Sequence, residues 1–361
     1  MSDQSPPEQA PDRRPPLPVR ISLALAISLA AGTLAWWVGM PLPWMLGPMI
    51  GNTVASVMSV PVAGPNRLRP IVIPVIGVML GSGISAEVLS KAGAWAGTFL
   101  FLPPFLIAAA AVSYGVYRGL GRYDPVTAFY SAMPGGLNEM LLMGAEAGGD
   151  QRKIALAHAS RVLMTIFFVV MFFGLVLGVS TQGGGPRFTA VAEVGPVDAL
   201  WLIGSALVGL PLARLLRLPA PPLLGPMILS GVAHLTGLVT VPPPTILVIA
   251  AQLVMGTVIG CRFQGARARD ILKDLALGAG AAVGMIAVAV IFALMVHFST
   301  GTDLAQAFLA YSPGGLTEMS LLALAMGQEI AYVSITHIAR ISLVIFMAPF
   351  LFRAVGGEAK E

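Results

Sequence analysis

The chain has 361 residues, 56% hydrophobic and 11% charged, with a formal net charge of +4 and a mean hydropathy of +0.84. A soluble domain carries roughly 25% charged residues, and about 20 apolar residues suffice for one membrane crossing. The composition therefore excludes a cytosolic enzyme, a disordered chain and a secreted disulfide scaffold, and Cys261, the one cysteine, excludes an internal disulfide and a thiolate zinc site.

In chain order, residues 1–18 are polar and proline-rich and read as a disordered cytoplasmic leader. No small-residue cleavage site follows the first apolar run, so 19–40 reads as a retained span and not a signal peptide. Five further apolar segments follow at 43–60, 70–88, 92–118, 125–147 and 151–179. A glycine-rich linker at 181–196 leads to six more, at 197–216, 222–241, 243–263, 271–298, 303–327 and 330–353, before a polar tail at 354–361. Gly-Pro interrupts the second segment of each set and Pro-Gly-Gly the fifth, and both are places where a helix can break.

The two sets are copies of one unit. PLPWMLGPMI at 41–50 returns as PAPPLLGPMI at 219–228, an offset of 178, and AFYSAMPGGLNEM at 128–140 returns as AFLAYSPGGLTEM at 307–319, an offset of 179. At the second offset Gly77 and Gly81 match Gly256 and Gly260, Asp124 matches Asp303, and His158 and Arg161 match His337 and Arg340. Repeat 1 thus occupies 19–180 and repeat 2 occupies 197–353.

Charge decides which segments cross. If all twelve cross, Lys and Arg divide almost evenly between the two sides, against the usual cytoplasmic excess. If each Pro-Gly-Gly segment enters and leaves by one face, only Lys91 and Arg187 of the 21 Lys and Arg fall outside, and Arg161 and Arg340 lie within the membrane. The remaining 17 fall inside. This predicts ten spans, an N-terminus in the cytoplasm, and two five-span repeats of inverted topology, each with a re-entrant or broken helix. Such an all-α polytopic architecture is that of secondary transporters.

The paired LGPM, PGGLNEM and PGGLTEM motifs and the trailing His-x-x-Arg pairs resemble the duplicated AbrB-type membrane protein family over residues 20–353. That family is similar in architecture to cation–proton antiporters and bile-acid-type sodium symporters, which implies a transporter fold. It also carries the labels of gene-expression regulator and ammonia monooxygenase, and neither label follows from these residues.

Within the repeats, the turns at Pro134, Gly135, Gly136 and at Pro313, Gly314, Gly315 are each followed by a new helix. Asn138 or Thr317 is placed to cap it, beside backbone N–H groups able to receive an anion. Glu139 and Glu318 are either protonatable coupling groups or helix-end anchors. His158 and Arg161, like His337 and Arg340, share one helix face, and the two histidines are further candidates for coupling. Arg161 lies nine residues beyond Arg152, about 13 Å deeper, where its guanidinium needs a carboxylate, carbonyls or an anionic substrate. Ion pairs Arg161–Glu139 and Arg340–Glu318, locking each hairpin to the next helix, are the structural alternative to substrate contact. The LGPM turns read as a second break, with Asn52 and Ser230 just after them either bonding a ligand or joining helices.

No GxxxxGK[ST] motif is present, no helix-turn-helix stands outside the membrane, and the four histidines show no metal-ligand spacing. The sequence therefore predicts a bacterial inner-membrane secondary transporter of a small polar or anionic solute, coupled to H⁺ or Na⁺. It predicts no cofactor or metal, no enzymatic activity and no nucleic-acid partner, with homo-oligomerisation left open. A membrane sensor acting through a partner, and a membrane oxygenase, are the alternatives.

Overall fold

A computed structural model describes residues 15–40, 42–84, 92–175, 189–218, 220–265 and 268–354, all helix, turn or irregular chain. Most of the leader, the TQGGGP stretch, the end of the tail, Lys91 and Arg187 lie outside them. Helix α1 (Leu17–Trp37) starts inside the stretch read as leader, with Pro16 as N-cap and Pro18 in its first turn, where a missing N–H costs nothing. It is followed by α2 (Pro43–Val57), α3 (Arg69–Ser82), α4 (Ala92–Phe99), α5 (Leu102–Gly115), a π-helical turn (Val116–Leu120), α6 (Pro125–Ala132), α7 (Leu137–Glu146) and α8 (Gln151–Leu175). The second half holds α9 (Pro196–Leu215), α10 (Pro221–Leu235), α11 (Thr245–Gly260), a 3₁₀ turn (Cys261–Phe263), α12 (Ala268–Thr300), α13 (Leu304–Tyr311), α14 (Leu316–Ala325) and α15 (Ile330–Ala354). Seven described helices are long and apolar enough to cross a bilayer, so the chain is a multi-pass membrane protein.

Unusual backbone recurs at the sequence offset. Positive φ occurs at Leu42 and Ala220, at Gly39 and Arg217, at Ser59 and Gly237, at Arg122 and Gly301, and at Gly148 and Gly327. A left-handed residue other than glycine costs roughly 1–2 kcal/mol, so its recurrence reflects the same tertiary demand met twice.

The Gly-Pro motifs do not break their helices, which corrects the expectation of a second interruption. Both α2 and α10 run through, with Pro48 and Pro226 inside. Each proline sits in the second turn and removes one intrahelical bond. The preceding glycine serves packing: Gly47 lies against the backbone of Ala31 and Gly32 on α1, and Gly225 against Gly209 on α9.

The segments sort into two bundles. Helices α1–α3 and α9–α11 pack together, with α3 on α10 and α2 on α11 joining the copies. A Cβ on Gly77 would lie 3.1 Å from Pro226 Cβ, and one on Gly256 would lie 3.0 Å from Pro48 Cβ, the same contact made in both directions. Helices α4–α8 and α12–α15 form the other bundle, where α12 lies along α8 and α5, and α15 packs on α13 and α14. Between bundles, α14 touches α3, α12 touches α2, and the Cys261–Phe263 turn touches α8.

Candidate functional site

Each Pro-Gly-Gly segment is two half-helices. Asp124 caps α6 by accepting from Thr127 N–H at 2.9 Å, and Asp303 caps α13 by accepting from Gln306 N–H at 3.1 Å. With 8 residues in α6 and 10 in α7, and the same in α13 and α14, each half-helix reaches only about 12–15 Å. A crossing needs about 30 Å. The residue before each proline turns extended, Met133 at ψ 127° and Ser312 at ψ 138°, as steric conflict with the proline ring requires.

The arginines close these breaks. From α8, Arg161 Nη1 donates to Met133 O at 2.8 Å and to Ser131 O at 3.4 Å, while Nη2 donates to His158 Nδ1 at 2.9 Å. That fixes the His158 proton on Nε2, which donates to Tyr130 O at 2.9 Å. From α15, Arg340 Nη1 and Nη2 donate to Ser312 O and Gly314 O, both at 2.6 Å. His337 holds the other tautomer, its Nδ1–H donating to Val333 O at 2.9 Å. Each guanidinium therefore caps carbonyls left open at the end of a half-helix.

The expected ion pairs are not formed: neither Arg161 with Glu139 nor Arg340 with Glu318 comes within ion-pair distance. The physical reason lies in the helix starts. Gly136 and Gly315 are the N-caps, so Asn138 and Thr317 are second in their helices and not caps, and Glu139 and Glu318 are third. From that position each carboxylate folds back over its own cap glycine, where a Cβ would collide with it. The fold-back sets a negative charge on the helix N-terminus.

Arg161 and Arg340 are each 3% exposed and lie within electrostatic reach of each other. Buried around them, Arg161 Nε, Arg340 Nε, His337 Nε2, Ser131 Oγ and Ser160 Oγ make no hydrogen bond among the described residues. The structure thus brings both Pro-Gly-Gly turns, both arginines and both histidines into one bundle. Asn52 and Ser230 belong to the other, with their side chains spent between helices. Asn52 Nδ2 donates to Ser28 Oγ at 2.7 Å and Pro48 O at 2.9 Å, and Ser230 Oγ donates to Val78 O at 2.8 Å.

Two charged groups escaped the sequence reading. Arg262, assigned there to a cytoplasmic loop, is half-buried and within electrostatic reach of Glu318 and His158. Asp274 is a buried carboxylate on α12. Both lie where the first copy has no counterpart, Gly83 standing for Arg262 and Trp95 for Asp274, so comparing the repeats gives no signal for either. Among the described residues no three His, Cys, Asp or Glu side chains gather as a metal site.

Comparison with known proteins matches residues 44–356 to the family model described as "Transition state regulatory protein AbrB". The chain is 26% identical to "Uncharacterized protein YhjN" of Bacillus subtilis (strain 168), over 93% of this chain and 94% of that one. It is 24% identical to "Putative regulator AbrB" of Escherichia coli (strain K12), over 93% of this chain and 96% of that one. The family model spans most of the sequence, and the chain belongs to the AbrB family.

Proposed function

We propose that this protein is a secondary transporter of a small anionic solute, driven by H⁺ or Na⁺, with its site where the two broken helices face each other. The observation that carries the reading is the pair of buried guanidinium groups, which lie within electrostatic reach of each other and, among the described residues, pair with no carboxylate. Buried cations need a counter-charge, and the free donors around them, Arg161 Nε, Arg340 Nε and the Ser131 and Ser160 hydroxyls, suit a carboxylate or similar anion. The two bundles supply bodies that can rock about that site, as alternating access requires.

The inverted topology, with the N-terminus inside an inner membrane, belongs to this proposal. Contacts between distant loops support it. Arg152, assigned inside, donates to Gly265 O at 3.2 Å on another inside loop. On the outside, Thr189 N–H donates to Thr245 Oγ1 at 2.9 Å.

A second reading, a membrane sensor that binds a solute without moving it, is favoured by the name of the Escherichia coli relative. One experiment series separates the two. Purified protein is screened by thermal shift against organic anions, amino acids, ammonium and Na⁺, and the hits are tested for uptake into sealed vesicles. Stabilisation by an anion that Arg161→Lys or Arg340→Lys weakens, with uptake, supports transport. Binding without uptake supports the sensor, and hits indifferent to both arginines move the site elsewhere.

A further inference from the structure

Asp274 is 7% exposed on a membrane helix. Its Oδ1 accepts one hydrogen bond, from Tyr123 O–H at 2.8 Å. It makes no ion pair, and no second hydrogen bond reaches the carboxylate among the described residues. As the seventh residue of α12 it stands beyond the first turn, where the helix dipole no longer favours negative charge. A carboxylate kept from water with one neutral donor and no paired cation is a group that takes up a proton. Glu318, similarly buried, differs because it lies on its own helix N-terminus.

The surroundings are built around this group. Tyr123 is buried and its ring stacks on that of Tyr117, with centroids 5.6 Å apart and planes at 28°. Tyr117 belongs to the π-helical turn, donates to Ala157 O at 3.4 Å, and lies within electrostatic reach of both Asp274 and Arg161. Arg118 Nη1 fixes the loop by donating to Tyr123 O at 3.0 Å. Burial, and then the charge of Asp274, push the Tyr123 phenol above its ordinary range, so it stays a donor.

The other ionic groups nearby are Lys153 of α8, and Asp270 and Lys273 of α12 itself. Lys153 is engaged by Asp150 at 3.8 Å and by the Tyr123 ring at 5.3 Å. Helices α2, α4, α5 and α13, also packed on α12, bring no charged side chain. One turn along the same face, a Cβ on Gly278 would lie 3.2 Å from Arg161 N and 3.0 Å from Ser160 C. The face of α12 that carries Asp274 therefore rests on the backbone of Arg161 itself.

We propose that Asp274, hydrogen-bonded to Tyr123, is a proton-binding site that couples this protein to the proton gradient. The proton enters from the aqueous phase at this end of α12, neutralises the carboxylate, and is released toward the opposite phase once the seam between α12 and α8 has shifted. Arg161 senses the change through that seam and through Tyr117. Glu139 and Glu318 then serve as helix-end anchors. The role as coupling site rests on the transport reading; the proton site itself does not.

The test is pH-jump infrared difference spectroscopy on full-length protein in lipid vesicles, with no solute added. Wild type is expected to show a protonated-carboxyl C=O band on acidification. Asp274→Asn should abolish it, Asp274→Glu should restore one, and Tyr123→Phe should shift its frequency. Variants are matched to wild type by gel filtration and unfolding midpoint, and Asp274→Glu guards against a fold made non-native by the amide. A band that survives in Asp274→Asn overturns the site. With any anion that wild type accumulates, Asp274→Asn should lose the response of uptake to an imposed pH gradient; a response retained there overturns the coupling role. Absence of uptake by wild type sinks the transport reading and leaves the infrared result to judge the site.

Discussion

Arg340 spends its two terminal nitrogens on the carbonyls of Ser312 and Gly314, which have no intrahelical partner because the chain turns at Pro313. Truncation to alanine orphans both inside a membrane protein, at about 1–3 kcal/mol each. Lysine, a point charge on a flexible stem, can reach one of them. The expected order of thermal unfolding midpoints in detergent is therefore wild type, then Arg340→Lys, then Arg340→Ala. Equal midpoints would show that the guanidinium is not holding the break. Glycines offer a second ranking. In Gly315→Ala the new methyl meets the carboxylate of Glu318, the free end of a flexible side chain. The carboxylate swings off its helix N-terminus, a loss of about 0.3–1 kcal/mol. In Gly81→Ala the methyl meets Met227 O and Gly231 N, backbone atoms of α10, and the helices must separate at a cost of about 1–3 kcal/mol. Unfolding midpoints should fall in that order.

At the scale of elements, proline has opposite consequences in two motifs. Pro313 follows an extended residue and precedes two glycines, so nothing carries the helix across it. Pro48 is held within α2 by contacts on both sides, Gly32 of α1 and Gly256 of α11. Pro48→Ala keeps the Cβ that meets Gly256 and restores a donor for the carbonyl four residues back. The unfolding midpoint should hold or rise, by no more than about 1 kcal/mol of stability; a large loss would mean that α2 depends on a kink there. The broken hairpins were legible in the sequence because Pro-Gly-Gly removes both the donor and the stiffness a helix needs. So was the duplication, through rare residues at one spacing. The continuity of α2 was not legible, since Gly-Pro looks alike whether it ends a helix or lets a neighbour approach. The arginine partners were hidden for a different reason: Glu139 and Glu318 are visible in a sequence, whereas the carbonyls of Met133, Ser312 and Gly314 belong to every residue. Asp274 and Arg262 stand outside the repeat, and only packing assembles their surroundings.

At the scale of the whole molecule, the proposed topology places both ends of one hairpin on the cytoplasmic face and both ends of the other outside. Cys261 is the one cysteine and is buried, so Cys261→Ala gives a background for single-cysteine labelling with a membrane-impermeant maleimide. Leu120→Cys and Gln151→Cys flank the first hairpin at exposed positions, and Ser299→Cys and Gln328→Cys flank the second at exposed and half-buried ones. In right-side-out vesicles the second pair should react and the first should react only after permeabilisation; inside-out vesicles should reverse the pattern. The two ends of each hairpin meet, Asp150 N–H donating to Thr127 Oγ1 at 2.8 Å and Gln306 Nε2 donating to Glu329 Oε2 at 3.1 Å, so in this proposal each pair returns to the face it left. Five crossings per copy then invert the second copy. If the two positions flanking one hairpin label from opposite faces, that segment crosses, the number of crossings per copy becomes even, and the inversion fails. With it would go the argument that one sequence pattern can open the arginine site toward either side of the membrane.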